Sequence, residues 1–192
     1  SVSTGYSGVS IQAADGADSI RAMGVTSTLK GGSGADSVFL TSALTGSNIS
    51  TNTENDTVQL FGTVSRSKIC LGSGADSLRV ASTSSNLTAF AGSEADTVTF
   101  ALDQTSLYLD GEAGNDVIHL QGVETGTLFG GSGADSLYVD DPSTNILIDS
   151  GSDDEADSIH LARTVTSATL LAGSGNDSIL LAGGISGSGS IT

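Results

Sequence analysis

The chain contains no tryptophan, one proline, one cysteine and only six basic residues against 22 acidic ones. Each shortage excludes something. A single cysteine, Cys70, allows no internal disulfide. A net charge of -16 repels phosphate, which excludes nucleic acid as a partner and disfavours anionic membrane surfaces. No run approaches the roughly 18 apolar residues needed to cross a bilayer, so no membrane insertion is expected. An acidic chain so poor in lysine and arginine needs another counter-ion, and metal cations are the natural candidates.

What is abundant is regular. Near-copies of one segment recur as GSGADSVFL (32–40), GSGADSLRV (72–80) and GSGADSLYV (131–139), with weaker copies between and around them. Anchored on the acidic residue, the copies fall at Asp18, Asp36, Asp56, Asp76, Asp96, Asp116, Asp135, Asp157 and Asp177. Their intervals are 18, 20, 20, 20, 20, 19, 22 and 20 residues. A period in this range marks a solenoid, propeller or array. A propeller blade needs about 40 residues.

Two and four positions after each Asp the residue is apolar, from Ile20 and Ala22 to Ile179 and Leu181, while the residue between varies freely. This alternation predicts a half-buried strand opening at each Asp. A second strand is predicted around the position seven before each Asp, held by Ile11, Leu29, Ile49, Ile69, Ala89, Leu109, Leu128 and Leu170. The eighth coil puts Ser150 there, which places an insertion between Pro142 and Asp157 and hands the role to Ile146 and Ile148. Helix is excluded by the β-branched and hydroxyl residues and the recurrent glycine. The expectation is an all-β, parallel β-solenoid of about nine 20-residue coils, each turn, strand, turn, strand, forming one domain over residues 1–192. At about 4.8 Å per coil the rod is roughly 45 Å long. The first residues (SVSTGYSGVSIQ) fit the second strand of a preceding coil and the last (ISGSGSIT) the opening of a tenth. Neither end reads as a cap, so the chain is expected to be a fragment of a longer one or to join identical subunits end to end.

The six residues ending at each Asp carry the chemistry, as in GGSGAD (31–36), LGSGAD (71–76), GEAGND (111–116) and AGSGND (172–177). Glycine permits backbone conformations that turn carbonyls into a shared loop, and Asp adds a carboxylate. Calcium is a hard cation taking six to eight oxygens, whereas zinc and copper favour the Cys or His clusters that are missing here. These turns resemble the repeat-in-toxin (RTX) nonapeptide, GGxGxDxUx, of calcium-binding parallel β-rolls. The resemblance implies that early loop carbonyls and the nine aspartates coordinate calcium between successive turns. It differs from the usual pattern in carrying the motif once per coil, so calcium should line one edge only, closer to the extender solenoids of giant adhesins. One divalent ion in each of the eight gaps would balance the net charge.

Glu54, Glu94 and Glu155 replace the glycine two before the Asp. Either these turns change shape or the Glu adds a ligand; the favoured reading is altered shape with weaker or absent calcium at some of them. The turn TNTEND (51–56), which has no glycine, is the least certain site.

Nothing in the chain forms a unique reactive constellation. His119 and His160 read as solvated, outward-facing residues, and the recurrent Ser after each Asp as a hydroxyl ladder closing the turn. Cys70 reads as a tolerated surface thiol. The outward Ser, Ala and Asn of the turns are too irregular for ice binding. Phe39, Phe90, Phe129 and Tyr138 fall on outward positions, where clustering would mark a contact site. The sequence therefore points to a secreted, cell-surface or extracellular calcium-rigidified scaffold of an adhesin, surface layer or filament, not an enzyme. The alternatives are a module of a phage fibre or adhesin that binds a cell-surface ligand, and the calcium-binding tail of a secreted enzyme.

Overall fold

A computed structural model describes residues 10–23 and 28–192. The described residues contain strands and no helix, and every named strand pair is parallel. The strands that open at the aspartates stack into one nine-stranded sheet, from Ser19–Ala22 through Ser37–Leu40 to Ser178–Leu181. The second strands form the main path of a 12-stranded sheet, from Ile11–Gln12 to Ser190–Ile191. The chain is thus a β-solenoid of about nine turns, as its period predicts.

Register follows the repeat. Leu78 lies between Val58 and Val98, and Val80 between Leu60 and Phe100. In the other sheet Ile69 lies between Ile49 and Ala89, and Ile148 pairs with Leu128 and Leu170. Ile148 therefore takes the role that counting seven residues back from Asp157 would have given Ser150. Because Gly131 also pairs with Gly151, the two extra residues of that coil lie in the turn before Asp157. The core is a column of these rows, and Val38, Val58, Ile69, Leu109, Ile118, Leu137 and Leu170 are fully buried.

One expectation needs correction. The coil has three sides rather than two. The corner opposite the Asp turn holds its own short strands, such as Leu44–Thr45, Val64–Ser65 and Val165–Thr166. In two coils this strand runs unbroken into the next as Ser84–Ser93 and Gln104–Ala113. Leu44, Val64, Val123 and Val165 bury there, where left-handed residues at Gly46, Arg66, Asn86, Ser106, Asn145 and Ser167 turn the chain. Ile185–Ser186 completes the third side of the ninth coil, and Ser190–Ile191 pairs with Thr169 and Leu170 as the tenth strand along the second sheet's path, as expected of the opening of a tenth coil. The expected preceding coil over residues 1–12 falls mostly outside the described residues.

Leu109 is fully buried in the middle of the stack. Leu109→Ala should cost about 2–5 kcal/mol, read as a lower denaturant midpoint in calcium.

Candidate calcium edge

At each Asp turn the ladder hydrogen bonds of one sheet must give way to those of the next. The backbone closes the step in one direction. Ser37 N–H donates to Asp18 O at 2.8 Å, and the same bond recurs from Thr57, Ser77, Thr97, Val117, Ser136, Ser158 and Ser178 to the preceding Asp. The turn is thus closed by main-chain N–H groups, and Val117 does it without a hydroxyl; the expected hydroxyl ladder is not what closes it.

The aspartate side chain closes the step in the other direction. Asp36 Oδ1 accepts the Asp18 N–H at 2.8 Å. The same bond joins Asp36 to Asp56, Asp56 to Asp76, Asp76 to Asp96, Asp96 to Asp116 and Asp116 to Asp135. It continues from Asp135 to Asp157 and from Asp157 to Asp177, at 3.0 Å in the last case. All nine aspartates predicted from the repeat therefore stand in one continuous ladder along one edge. Asp18 and Asp177 at its ends are only partly buried.

The second carboxylate oxygen is the anomaly. Asp36, Asp56, Asp76, Asp96, Asp116, Asp135 and Asp157 are each no more than 3% exposed, and the Oδ2 of every one is buried without a hydrogen-bond partner. An orphaned buried oxygen is costly, more so when charged. An Asn would satisfy the same N–H through Oδ1 without burying a charge, yet all nine positions hold Asp. The Oδ2 atoms of Asp36, Asp116 and Asp135 lie against Gly31, Gly111 and Gly130, where a Cβ would overlap them. A carboxylate oxygen with no proton donor is the donor a hard cation needs, so the residues present fit calcium. Among the described residues no three His, Cys, Asp or Glu side chains converge on one point. Most of the six to eight oxygens must therefore be main-chain carbonyls, as glycine-rich turns allow.

Burial pushes these carboxyls above the ordinary range, with neighbouring acids adding to it. Asp76 and Asp116 rise to about 6 and Asp96 and Asp135 to about 7. Asp36, Asp56 and Asp157 also rise through burial, although the Asp18, Asp36 and Asp135 N–H bonds offset part of it. The Thr51 and Ser150 hydroxyls, beside Asp56 and Asp157, act in the same downward direction.

The turn itself is built on positive φ. Two before the Asp, Gly34, Gly74, Gly114 and Gly133 have φ between 110° and 145°, and Glu54 and Glu94 stay in the left-handed region at 72° and 74°. These two turns thus keep a positive φ but at a smaller value, a change of shape within the same region. Glu155 lies in the turn lengthened by two residues, and that turn does differ. Glu112 and Asn52, at 71° and 77°, take the same strain four before the Asp, where Gly72 and Gly92 press against Asn52 O and Gly72 O.

Further braces escaped the sequence reading. Asn55 Oδ1 accepts from Ala75 N at 2.9 Å and Asn115 Oδ1 from Ala134 N at 3.0 Å. In the lengthened turn Asp153 Oδ2 accepts from Gly133 N at 2.6 Å. The ND pairs at 55–56 and 115–116 were the available signal. Of the other residues singled out, Cys70 is free and half-buried. His119 Nε2 pairs with Asp140 Oδ2 at 2.6 Å on the outer face, and Tyr138 packs edge-on between His119 and His160.

A parallel β-solenoid with one acidic, glycine-turned edge is the class that fold and site define. The RTX calcium-binding nonapeptide repeat (4 copies) matches residues 12–41, 108–122 and 126–141. These repeats are calcium-binding, and together with the parallel solenoid they fit an RTX β-roll family. No curated protein and no solved structure matches the chain.

Two outcomes follow from the edge. For a carboxyl whose folded pKa lies above its unfolded value, stability is full below the unfolded pKa and is lost as pH rises through the folded one. The calcium-free protein should therefore be most stable near pH 4 and lose melting temperature between about pH 5 and 8, as Asp76, Asp96, Asp116 and Asp135 ionise. Glu94→Gly should raise the melting temperature, because a non-glycine left-handed residue costs about 1–2 kcal/mol, offset in part by glycine entropy. An unchanged calcium midpoint in that variant would show that Glu94 is not a ligand.

Proposed function

We propose that the protein is an extracellular structural spacer whose rigidity is set by calcium along its aspartate edge. The carboxylates of Asp18, Asp36, Asp56, Asp76, Asp96, Asp116, Asp135, Asp157 and Asp177 hold the ions, with turn carbonyls completing the shell. The observation that carries this reading is the row of buried carboxylate oxygens without partners. Calcium supplies positive charge there; the chain's own residues supply the acceptors, the positive-φ turns that aim the carbonyls, and the N–H bonds that hold each Oδ1.

Several facts support a spacer over a catalyst. Each coil contacts its neighbours through the same rows, so stiffness accumulates along the rod. The largest chemically distinctive feature is the repeated edge, and repeated sites suit load and length better than turnover. RTX repeats fit a secreted location, where calcium is near millimolar and weak sites fill. No helix among the described residues is long and apolar enough to cross a membrane. An adhesin stalk, surface layer or extracellular filament, in which such rods continue into adjoining coils or identical subunits, is the setting we infer.

Chelation tests the reading. At pH 7.5, EGTA should abolish the β signal in circular dichroism and lengthen the molecule's small-angle scattering profile to that of an expanded chain; millimolar calcium should restore both. An unchanged spectrum and melting point would sink it. Asp96→Asn, which keeps an acceptor for the Asp76 N–H, should move the calcium midpoint of folding upward severalfold. The exposed Asp103→Asn should leave it in place.

A further inference from the structure

The outer face of the 12-stranded sheet carries a stack of aromatic side chains over three successive coils. Tyr108 lies between Phe90 and Phe129, with ring centroids 5.7 Å apart on each side. One end of the stack is closed by a cation: Lys68 Nζ sits 4.7 Å from the Phe90 centroid. The other end opens on a cavity of about 270 Å³ lined by Tyr108, Asp110, Phe129, Gly131, Asp149, Gly151 and Ser152. Register puts Asp110, Phe129 and Asp149 on consecutive rungs, so one ring stands between two carboxylates. Gly131 and Gly151 on the adjoining rungs carry no side chain to fill the space.

The two carboxylates are not equivalent. Asp110 is engaged at both oxygens, accepting from Tyr108 Oη at 3.2 Å and from Glu112 N at 3.0 Å. Asp149 accepts from Gly151 N at 3.2 Å through Oδ1, which leaves Oδ2 to face a ligand. No basic side chain lines the cavity. Burial first, and Asp110 second, hold the Tyr108 hydroxyl and the Glu112 carboxyl above their ordinary values, and Lys68 offsets part of the rise at Glu112.

The lining selects among ligands. An anion is repelled. A bare calcium ion wants six to eight oxygens, and two of these walls are ring faces. A neutral polar ligand could stack on the rings but leaves the carboxylate charge unanswered. A cation with apolar carbons and N–H donors uses every wall: its methylenes lie on Phe129 and Tyr108, and its nitrogen faces Asp149. Lys68 over Phe90 is the same chemistry at the closed end of the same stack.

We propose that this cavity binds a primary alkylammonium group, of the kind a lysine side chain presents, between Phe129 and Asp149. The site borders the calcium turns at Gly131, Gly151 and Ser152 but uses none of the nine edge aspartates, and it makes the outer face a recognition surface on the rod.

The test is an NMR titration of the full chain in millimolar calcium with n-butylammonium chloride at constant ionic strength, using sodium and tetramethylammonium chlorides as controls. Saturating shifts confined to Tyr108, Phe129, Asp149 and Gly151 are expected. Phe129→Leu and Asp149→Asn should each weaken binding by about fivefold or more, the size of a partly desolvated cation–π or charge-assisted contact. Asp149→Asn keeps the acceptor for Gly151 N and so guards against a folding defect in Phe129→Leu; circular dichroism in calcium confirms both folds. Shifts that do not saturate, that sodium or tetramethylammonium reproduces at equal concentration, or that survive both substitutions would overturn the assignment. Because the fold is monitored separately, failure here leaves the calcium reading untouched, and loss of the fold on chelation says nothing against this site.

Discussion

The structure depends on one hydrogen bond repeated eight times, from the N–H of one aspartate to the carboxylate of the next. It carries the parallel ladder around a corner where the backbone carbonyls have turned elsewhere. The same geometry creates the chief conflict of the fold. Carboxylates stacked at the coil spacing repel by about 3 kcal/mol per neighbouring pair at an effective dielectric near 20. Their second oxygens have no donor to offset this. A proton or a divalent cation must therefore complete the edge. Which one does so depends on pH and calcium, and the raised carboxyl values place the exchange near neutrality. A corner that must be filled makes folding conditional on protons or a divalent cation.

The turn and the edge constrain each other. The close approach of Gly72 to Asn52 O and of Gly92 to Gly72 O brings main-chain oxygens of successive coils together. A side chain at φ near 120° could not be accommodated there. Where the chain does place one, at Asn52 or Glu112, φ falls to between 71° and 77°, and the residue is exposed. Strain is thus accepted on the solvent side of the turn and never at the aspartate. The lengthened turn before Asp157 obeys the same rule: its extra residues bulge outward, Asp153 braces Gly133, and Asp157 keeps its place in the ladder.

The period, the strands after each aspartate and the rows that form the core were legible because burial on one face of a strand leaves an alternation that survives every other change. The aspartates were legible for a similar reason, since each occupies an interior position and cannot drift. The third side was harder to see. Its buried row runs Leu44, Val64, Ser84, Gln104, Val123, Ser143 and Val165, and the polar members mask it. Ser143 Oγ accepts from Val123 N and Gln104 Nε2 donates to Ser82 O, while Gln104 Oε1 and Ser84 Oγ are buried without a partner, and no linear pattern announces such a row. Glu54 and Glu94 hold the turn at a smaller φ than the glycines do, with their side chains exposed, so the cost is local strain. The stacking of Phe90, Tyr108 and Phe129 was invisible for a geometric reason. Tyr108 lies two residues from the row of the other two and reaches them diagonally across the ladder.

A solenoid separates its duties by row. The aspartate row and the apolar rows of the two long sheets are closely constrained, because every coil must fit both neighbours. The outward rows answer to no such demand, so Arg21, Phe39 and Gln59 can follow one another on adjacent rungs. Any specificity this rod has must then lie where outward residues of adjacent coils act together, and cooperation is found in short runs: Arg21 over Phe39 and Phe39 against Phe61, His119 with Tyr138 and His160, and Lys68 to Asp149 through the aromatic stack. Calcium at the edge makes such runs useful. A recognition surface spread over several coils keeps its spacing only while the coils stay in register, and the aspartate ladder holds that register.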